Sequence, residues 1–465
     1  MTILEQMGNA WRIRDLRRKL LVTLGLLGLC RVGVYVPLPG INVKALGDLF
    51  GRGGFAGMGI LGVLNLFTGG ALSQGAVFGL GIMPYITASI IFTLLGSVIP
   101  SLEALRKEGA AGQRKLNQYM RIATVFVCFL QGTVVLRTLV AQLGGAGMLA
   151  PVVTGSWFGA FRFMLTGVVL LTAGTMFLMW IGEQIDQHGI GNGISLIITV
   201  SILDRFPGAL YQMQQSIRNA ESQQNAVLKV VLLMVLFVAV IVAIVYITQG
   251  ERRIPVQQQK HVRGPKVYGG QKHYLPLRVN TAGVMPIIFA SVLLQFPWMI
   301  AGYAASHADV GSRWHALWQA MSNAFGRQSS LPYVLLYGML IFFFCYFWTA
   351  VVFNPREMSE SLQSYGSFIP GIRPGRRTAN YLEGIMNRIT LAGAFFLLAI
   401  ALLPTFIMAG LGVGRIVAGL MGGTSILIVV GVTLETWRRV NDHLEMRRYS
   451  GFAAGVGGRR RSRRR

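Results

Sequence analysis

Side chains able to do covalent or metal chemistry stand where none of it is supported. The six histidines, His188, His261, His273, His307, His315 and His443, fall in polar segments at no metal-ligand spacing, which reads as solvated surface. The three cysteines, Cys30, Cys128 and Cys345, each sit inside an apolar run and read as small buried hydrophobes. No Gly-x-x-x-x-Gly-Lys-Ser/Thr loop is present to cradle a nucleotide. Gly189-Ile190-Gly191-Asn192-Gly193 has the glycine content of a dinucleotide loop, but it follows an apolar helix instead of a strand. It reads as a helix break at a membrane surface. The expectation is a chain that is not an enzyme and needs no cofactor.

Charge within apolar sequence is the next place to look. All 17 Asp and Glu, including Glu183, Asp186, Asp204 and Glu435 near the ends of apolar runs, lie outside the run centres. A lone charge at mid-bilayer costs about 2.5–3.5 kcal/mol on insertion scales, so ion-coupled carriers that keep one there are recognisable. This chain keeps no acid there. Of the cations, Arg137, Arg162 and Lys229 are near enough to run ends to snorkel. Arg31 is deeper and needs polar partners or water. What remains is aliphatic: Ile82 with Ile86, and Ile194 with Ile198, are i,i+4 pairs on one helix face. Such a pair by itself fits lipid or a neighbouring helix.

The elements that carry these residues are set by composition. With 465 residues, 53% hydrophobic and 13% charged, the chain is too apolar for a soluble globule and reads as a polytopic membrane protein. Ten spans are expected: 20–38, 77–99, 122–139, 161–181, 190–203, 227–247, 284–301, 331–352, 389–411 and 416–433. Ahead of the second, Met58 to Thr68 is apolar but covers only about half a hydrocarbon core and is bounded by glycines. Such a half-span must be enclosed by other helices or face a wet cavity. The first 19 residues are polar and basic, and the apolar run after them lacks a small-residue cleavage pattern, so the first span is expected to remain.

Net charge is +26, and its placement gives orientation. Arg12, Arg14, Arg17, Arg18 and Lys19 precede the first span; Arg106, Lys107, Arg114, Lys115 and Arg121 lie between the second and third. Two further basic segments separate spans six from seven and eight from nine, and Arg438 to Arg465 close the chain. All fall on one face if there are ten spans, with both termini cytoplasmic. Residues 458–465 read as a disordered basic tail attracted to anionic lipid or RNA phosphates.

Several motifs resemble one family. Asn65-Leu66-Phe67-Thr68-Gly69-Gly70-Ala71-Leu72-Ser73, Gly81-Ile82-Met83-Pro84-Tyr85-Ile86, Gly191-Asn192-Gly193-Ile194-Ser195, Ala282-Gly283-Val284-Met285-Pro286 and Gly422-Gly423-Thr424-Ser425 occur in the order and spacing of the SecY family, the channel subunits of the general protein-secretion machinery. The resemblance implies an all-α membrane protein of ten helices, in two five-helix halves with inverted pseudo-symmetry, plus a short plug half-helix. Its parts would be a basic amphipathic segment 1–19, a first half 20–203 with the plug at 57–73, an external connection 204–226, a second half 227–433 with basic loops 249–280 and 354–388, and a basic tail 434–465.

By the same resemblance Ile82, Ile86, Ile194, Ile198, Ile288 and Ile428 form a pore ring, and Met58, Ile60, Leu61, Asn65, Leu66 and Phe67 belong to the plug. Thr87, Ser89 and Phe296 line a lateral gate between spans two and three and spans seven and eight. A ring of aliphatic side chains offers a passing chain no hydrogen bonds, yet dewets at rest and hinders ions. Arg252, Arg253, Lys260, Arg263, Arg356 and Arg373 would dock the SecA ATPase and the ribosome, meeting rRNA through its phosphates. Implied partners are SecE-like and SecG-like small subunits, signal peptides, nascent polypeptides and anionic lipids, in the bacterial inner membrane. One departure is Gln257-Gln258-Gln259-Lys260, where the family pattern has an aromatic residue before Ala-Lys. The residues alone also fit an inverted-repeat carrier of a small neutral solute, or an insertase-like scaffold without a pore ring.

Overall fold

The computed structural model describes residues 13–43, 46, 65, 68–143, 157–218, 223–263, 266–269, 272–308, 312–326, 330–411 and 423–461. It is a helical polytopic membrane protein. Among the described residues seven helices are long and apolar enough to cross a membrane, or eight if a pair bent by 103° at Gly96–Pro100 counts as one span. The chain divides into two compact units, Met1–Gly208 with Ile428–Arg465, and Ala209–Leu427.

The first unit contains α1 (Arg14–Gly33), α2 (Met83–Val98), α3 (Pro100–Lys107), α4 (Ala110–Leu143), α5 (Trp157–His188), α6 (Gly193–Leu203) and most of α15 (Gly423–Arg461). The apolar run expected to span from residue 77 is not helical at its start: residues 68–82 are turns apart from an isolated bridge of Ala76 to Pro37, and α2 begins only at Met83. Gly81 has φ +57°, which breaks the α-helical path, and Pro84 stands in the first turn, where its missing N–H costs nothing. The turns are held by neighbours. Thr175 Oγ1 on α5 donates to the Gly81 carbonyl at 3.0 Å, so an intramembrane carbonyl without a helical partner is satisfied by protein.

The Gly189–Gly193 segment is the helix break its context predicts, and three elements pin it. Thr23 Oγ1 on α1 accepts the Ile190 N–H at 3.0 Å, Asp186 Oδ1 accepts the Gly193 N–H at 2.7 Å, and Arg439 Nη1 donates to the Gly191 carbonyl at 2.9 Å. Asn192 then caps α6 by accepting the Ser195 N–H at 3.1 Å. Gly193 is required, because a Cβ there would run into the Gly182 carbonyl. Leu16, Ile190 and Val440 pack together beneath this junction. The fifth run, short by hydropathy, is continued after an Asp204–Arg205 turn by α7 (Phe206–Arg218), giving an apolar stretch over Gly193–Gln215.

The second unit holds α8 (Gln223–Gln249), α9 (Met285–Leu293), α10 (Gln295–His307), α11 (Arg313–Gly326), α12 (Leu331–Val352), α13 (Pro355–Ser364) and α14 (Arg376–Leu411). Between α8 and α9 lies a feature that the basic-loop reading did not foresee. β1 (Glu251–Gln258) pairs antiparallel with β4 (Lys272–Arg278), and with β5 (Ser367–Phe368) on its other edge. β2 (Lys260–Arg263) and β3 (Lys266–Gly269) form a separate hairpin. Ile254 and Val256 alternate inward along β1 and pack with Leu277, Ile369, Leu382, Ile385, Met386 and Ile389. That explains why α14 begins at Arg376, well before the apolar run at 389: its first turns present an apolar stripe to the sheet.

The C-terminal segment also departs from expectation. The stretch from Gly458 read as disordered is helical as far as Arg461, since α15 continues unbroken and each added residue of a formed helix gains a bond without new nucleation.

Candidate functional site

Five of the six ring isoleucines belong to the first unit. Ile82 is the N-cap residue of α2 and Ile86 lies one turn further; both are buried, as are Ile198 on α6 and Ile428 on α15. Ile194 is half-buried and faces α5, where a Cβ on Gly182 would come 3.2 Å from its Cγ1. The structure brings Ile82 and Ile198 together on a cavity of about 20 Å³, with Ile197, Thr68, Arg31 and Ser201 in its wall. That is room for about one water molecule. Ile288 belongs to the second unit, where it is buried on α9 and its carbonyl accepts Ser291 Oγ at 2.8 Å.

Of the plug residues, Met58, Ile60, Leu61, Leu66 and Phe67 lie outside the described residues. Asn65 is buried at 1% exposure and organises the backbone after it. Its carbonyl accepts the Gly70 N–H at 3.1 Å and its Oδ1 accepts the Ser73 N–H at 3.0 Å. One residue, through its backbone carbonyl and its side chain, thus closes the turn that leads into the non-helical approach to α2. Arg31, read as needing a polar partner, finds one in an ion pair with Asp204 at the end of α6.

The gate residues are described within their own units. Thr87 is buried and donates to the Met83 carbonyl at 3.0 Å; Ser89, half-buried, accepts Thr93 Oγ1 through its carbonyl at 2.7 Å. Phe296 is half-buried in the first turn of α10. Nearby, Phe289 packs edge-on against Phe344 and Trp348 of α12, each at 5.5 Å between centroids.

The basic residues share the second unit's sheet module. Arg252 and Arg253 are exposed on β1, and Arg253 Nε donates to Glu251 Oε1 at 2.9 Å. Lys260 and Arg263 lie at the two ends of β2, paired in register with Gly269 and Lys266. Arg356 is exposed in the first turn of α13, whose start is capped by Asn354, and Arg373 is exposed on the connection to α14. Ser359 Oγ donates to the Gly375 carbonyl at 2.8 Å and Thr378 Oγ1 to the Arg373 carbonyl at 3.0 Å, fixing that connection. Sequence reasoning missed the exposed Tyr274 on β4 and Tyr365 beside β5. The signal was the alternation in Lys272–Arg278, visible only once that stretch is taken as a strand.

The sequence model of the SecY family matches residues 76–437. The protein translocase subunit SecY of Streptomyces coelicolor is 42% identical over 454 residues, covering 97% of this chain and all of that one. The subunit of Thermotoga maritima is 40% identical over 448 residues, 96% of each chain. Among solved structures, a protein-conducting channel superposes with a TM-score of 0.58 at 17% identity over 92% of both chains. Sec61 from a canine ribosome-channel complex gives 0.54 at 16% identity, again over 92% of each. A family match across most of the chain, and relatives this similar over nearly its whole length, make the chain a member of the SecY family.

Proposed function

We propose that the chain is the protein-conducting channel subunit of a bacterial Sec translocon. The observation that carries this reading is the meeting of Ile82 and Ile198 at a cavity of about 20 Å³, reached through a non-helical stretch whose Gly81 carbonyl is bonded to protein. So small a space, with aliphatic Ile82, Ile197 and Ile198 in its wall beside Arg31, Thr68 and Ser201, leaves no open path for water and ions at rest. In this reading Ile86, Ile194, Ile288 and Ile428 complete the ring, and the stretch with Met58, Ile60, Leu61, Asn65, Leu66 and Phe67 is the plug. A signal peptide enters sideways past Thr87, Ser89 and Phe296, and a sufficiently hydrophobic segment partitions into lipid by the same route.

The two halves are inverted repeats in the inner membrane, both termini cytoplasmic, with SecE-like and SecG-like subunits beside them. The exposed arginines of the sheet module, Arg252, Arg253, Arg356 and Arg373, with Lys260 and Arg263 of the hairpin, support docking of the SecA ATPase and of ribosomal RNA phosphates. Work comes from those partners and not from this chain.

The test is protease protection of a signal-bearing precursor in proteoliposomes holding the chain, its small subunits, SecA and ATP, with Ile86→Cys as a crosslinking probe. Protected precursor crosslinked at position 86 is expected. A folded complex with active SecA that protects none would overturn the reading and point to solute transport.

A further inference from the structure

We propose that Arg31, Asp204 and Arg205 form an electrostatic seat for the Thr68–Ser73 turn, with the Asp204 charge as its keystone. The turn closes onto buried Asn65 and approaches two guanidinium groups. A Cβ on Gly69 would lie 2.8 Å from Arg31 Nη1 and 3.0 Å from the Ser201 carbonyl oxygen, and one on Gly70 would lie 3.4 Å from Arg205 Nη2. Gly69 and Gly70 have φ of +64° and +94°, so this backbone takes a path that other residues resist while pressed against charged side chains. Arg31 comes from the last turn of α1, and Ser201 and Asp204 from the end of α6. The seat therefore joins two helices to the turn that precedes α2.

Asp204 is not where helix electrostatics would put it. It is the C-cap residue of α6, and the C-terminal end of a helix disfavours a negative charge. Its ion pair with Arg31 supplies the compensation, and it also lies within electrostatic reach of Arg205. Among the described residues Asp204 pairs directly with Arg31 alone, while Arg205 is its neighbour in sequence, and the Arg205 Nε is buried with no hydrogen bond. Removing the carboxylate charge leaves two like charges beneath the turn with nothing to hold them together. The pair positions the turn; it does not touch a passing polypeptide. Its consequence for gating rests on the channel reading, because the turn it holds is the end of the stretch 57–73 read as the plug. The seat itself does not depend on that reading.

The experiment is hydrogen exchange on the complete complex in nanodiscs, read on peptides covering residues 65–76. Asp204→Asn is expected to speed exchange at the Gly70 and Ser73 amides, which bond to Asn65, by about tenfold or more. Asp204→Glu keeps the charge and is expected to stay near the parent rate. Glu435→Gln, which breaks the Arg439 ion pair elsewhere in the same unit, is expected to leave these amides unchanged. Unchanged exchange in a folded Asp204→Asn complex, or equal acceleration by Asn and Glu, would overturn the proposal. Ion influx into proteoliposomes is measured alongside. Leak from Asp204→Asn alone supports gating, whereas its absence even after deletion of residues 57–67 counts against the channel reading and leaves the exchange result to decide the seat.

Discussion

Ile198 is buried where it meets Ile82 at the small cavity, so replacing it by Asn tests what the site excludes. A polar amide there favours water in the cavity and loses apolar contact with Ile82; the expected stability loss is about 1–3 kcal/mol. Resting ion flux is expected to rise several-fold, and Ile198→Leu, with the same apolar character, to change it little. Iodide influx into proteoliposomes checks both. Thr23 is a second residue whose role was not visible in the sequence. It accepts the Ile190 N–H across a separation of 167 residues while donating to its own helix at Lys19. Thr23→Val keeps the shape and removes the acceptor, at an expected cost of about 1–3 kcal/mol, read as a lower unfolding temperature in detergent.

Among elements, the sheet over α14 separates two properties that a basic loop would merge. Its inner face carries Ile254 and Val256; Arg253 lies on the opposite face, and Arg252 is exposed at the start of the strand. Ile254→Ala removes a fully enclosed side chain at about 2–5 kcal/mol and is expected to open the 251–278 segment to limited proteolysis. Arg252→Gln with Arg253→Gln is expected to leave that proteolysis unchanged and to lower the salt dependence of ribosome binding, measured by co-sedimentation across a salt series. A flexible basic loop would show the second effect without the first. The helical stretch of α14 before the membrane run was legible in principle, since Leu382, Ile385, Met386 and Ile389 recur at helical spacing. What they pack against was not, because the sheet is assembled from strands more than 100 residues apart, Glu251–Gln258 and Ser367–Phe368.

For the whole molecule, the arrangement of charge predicts sidedness. Tyr274, exposed on β4 of the basic module, and Tyr211, exposed on α7, should face opposite compartments. Tyr274→Cys is expected to react with a membrane-impermeant maleimide only after the cells are permeabilised, and Tyr211→Cys without it. Cys30, Cys128 and Cys345 are all buried, so background labelling is low. Labelling of both from the same side would require a different number of spans. Among the described residues seven or eight helices are long and apolar enough to span, while α1 and α15 join apolar stretches to charged ones.

Residue order alone establishes a helical membrane protein, since long charge-poor runs leave no other way to satisfy backbone groups in lipid. It also establishes the family, because motifs around Asn65, Gly81, Gly191 and Ala282 keep their order and spacing. It locates the break at Gly191, where glycine removes the steric bar to unusual backbone, whereas the break at Gly81 falls inside a run that reads as one span from residue 77. What those breaks are bonded to was settled only in three dimensions: Thr175 at Gly81, Thr23 and Arg439 at the Gly189–Gly193 turn, and the Arg31–Asp204 pair beneath Gly69. Local sequence sets where a helix must stop. Only packing between distant segments supplies the partners that a stopped helix in a membrane requires.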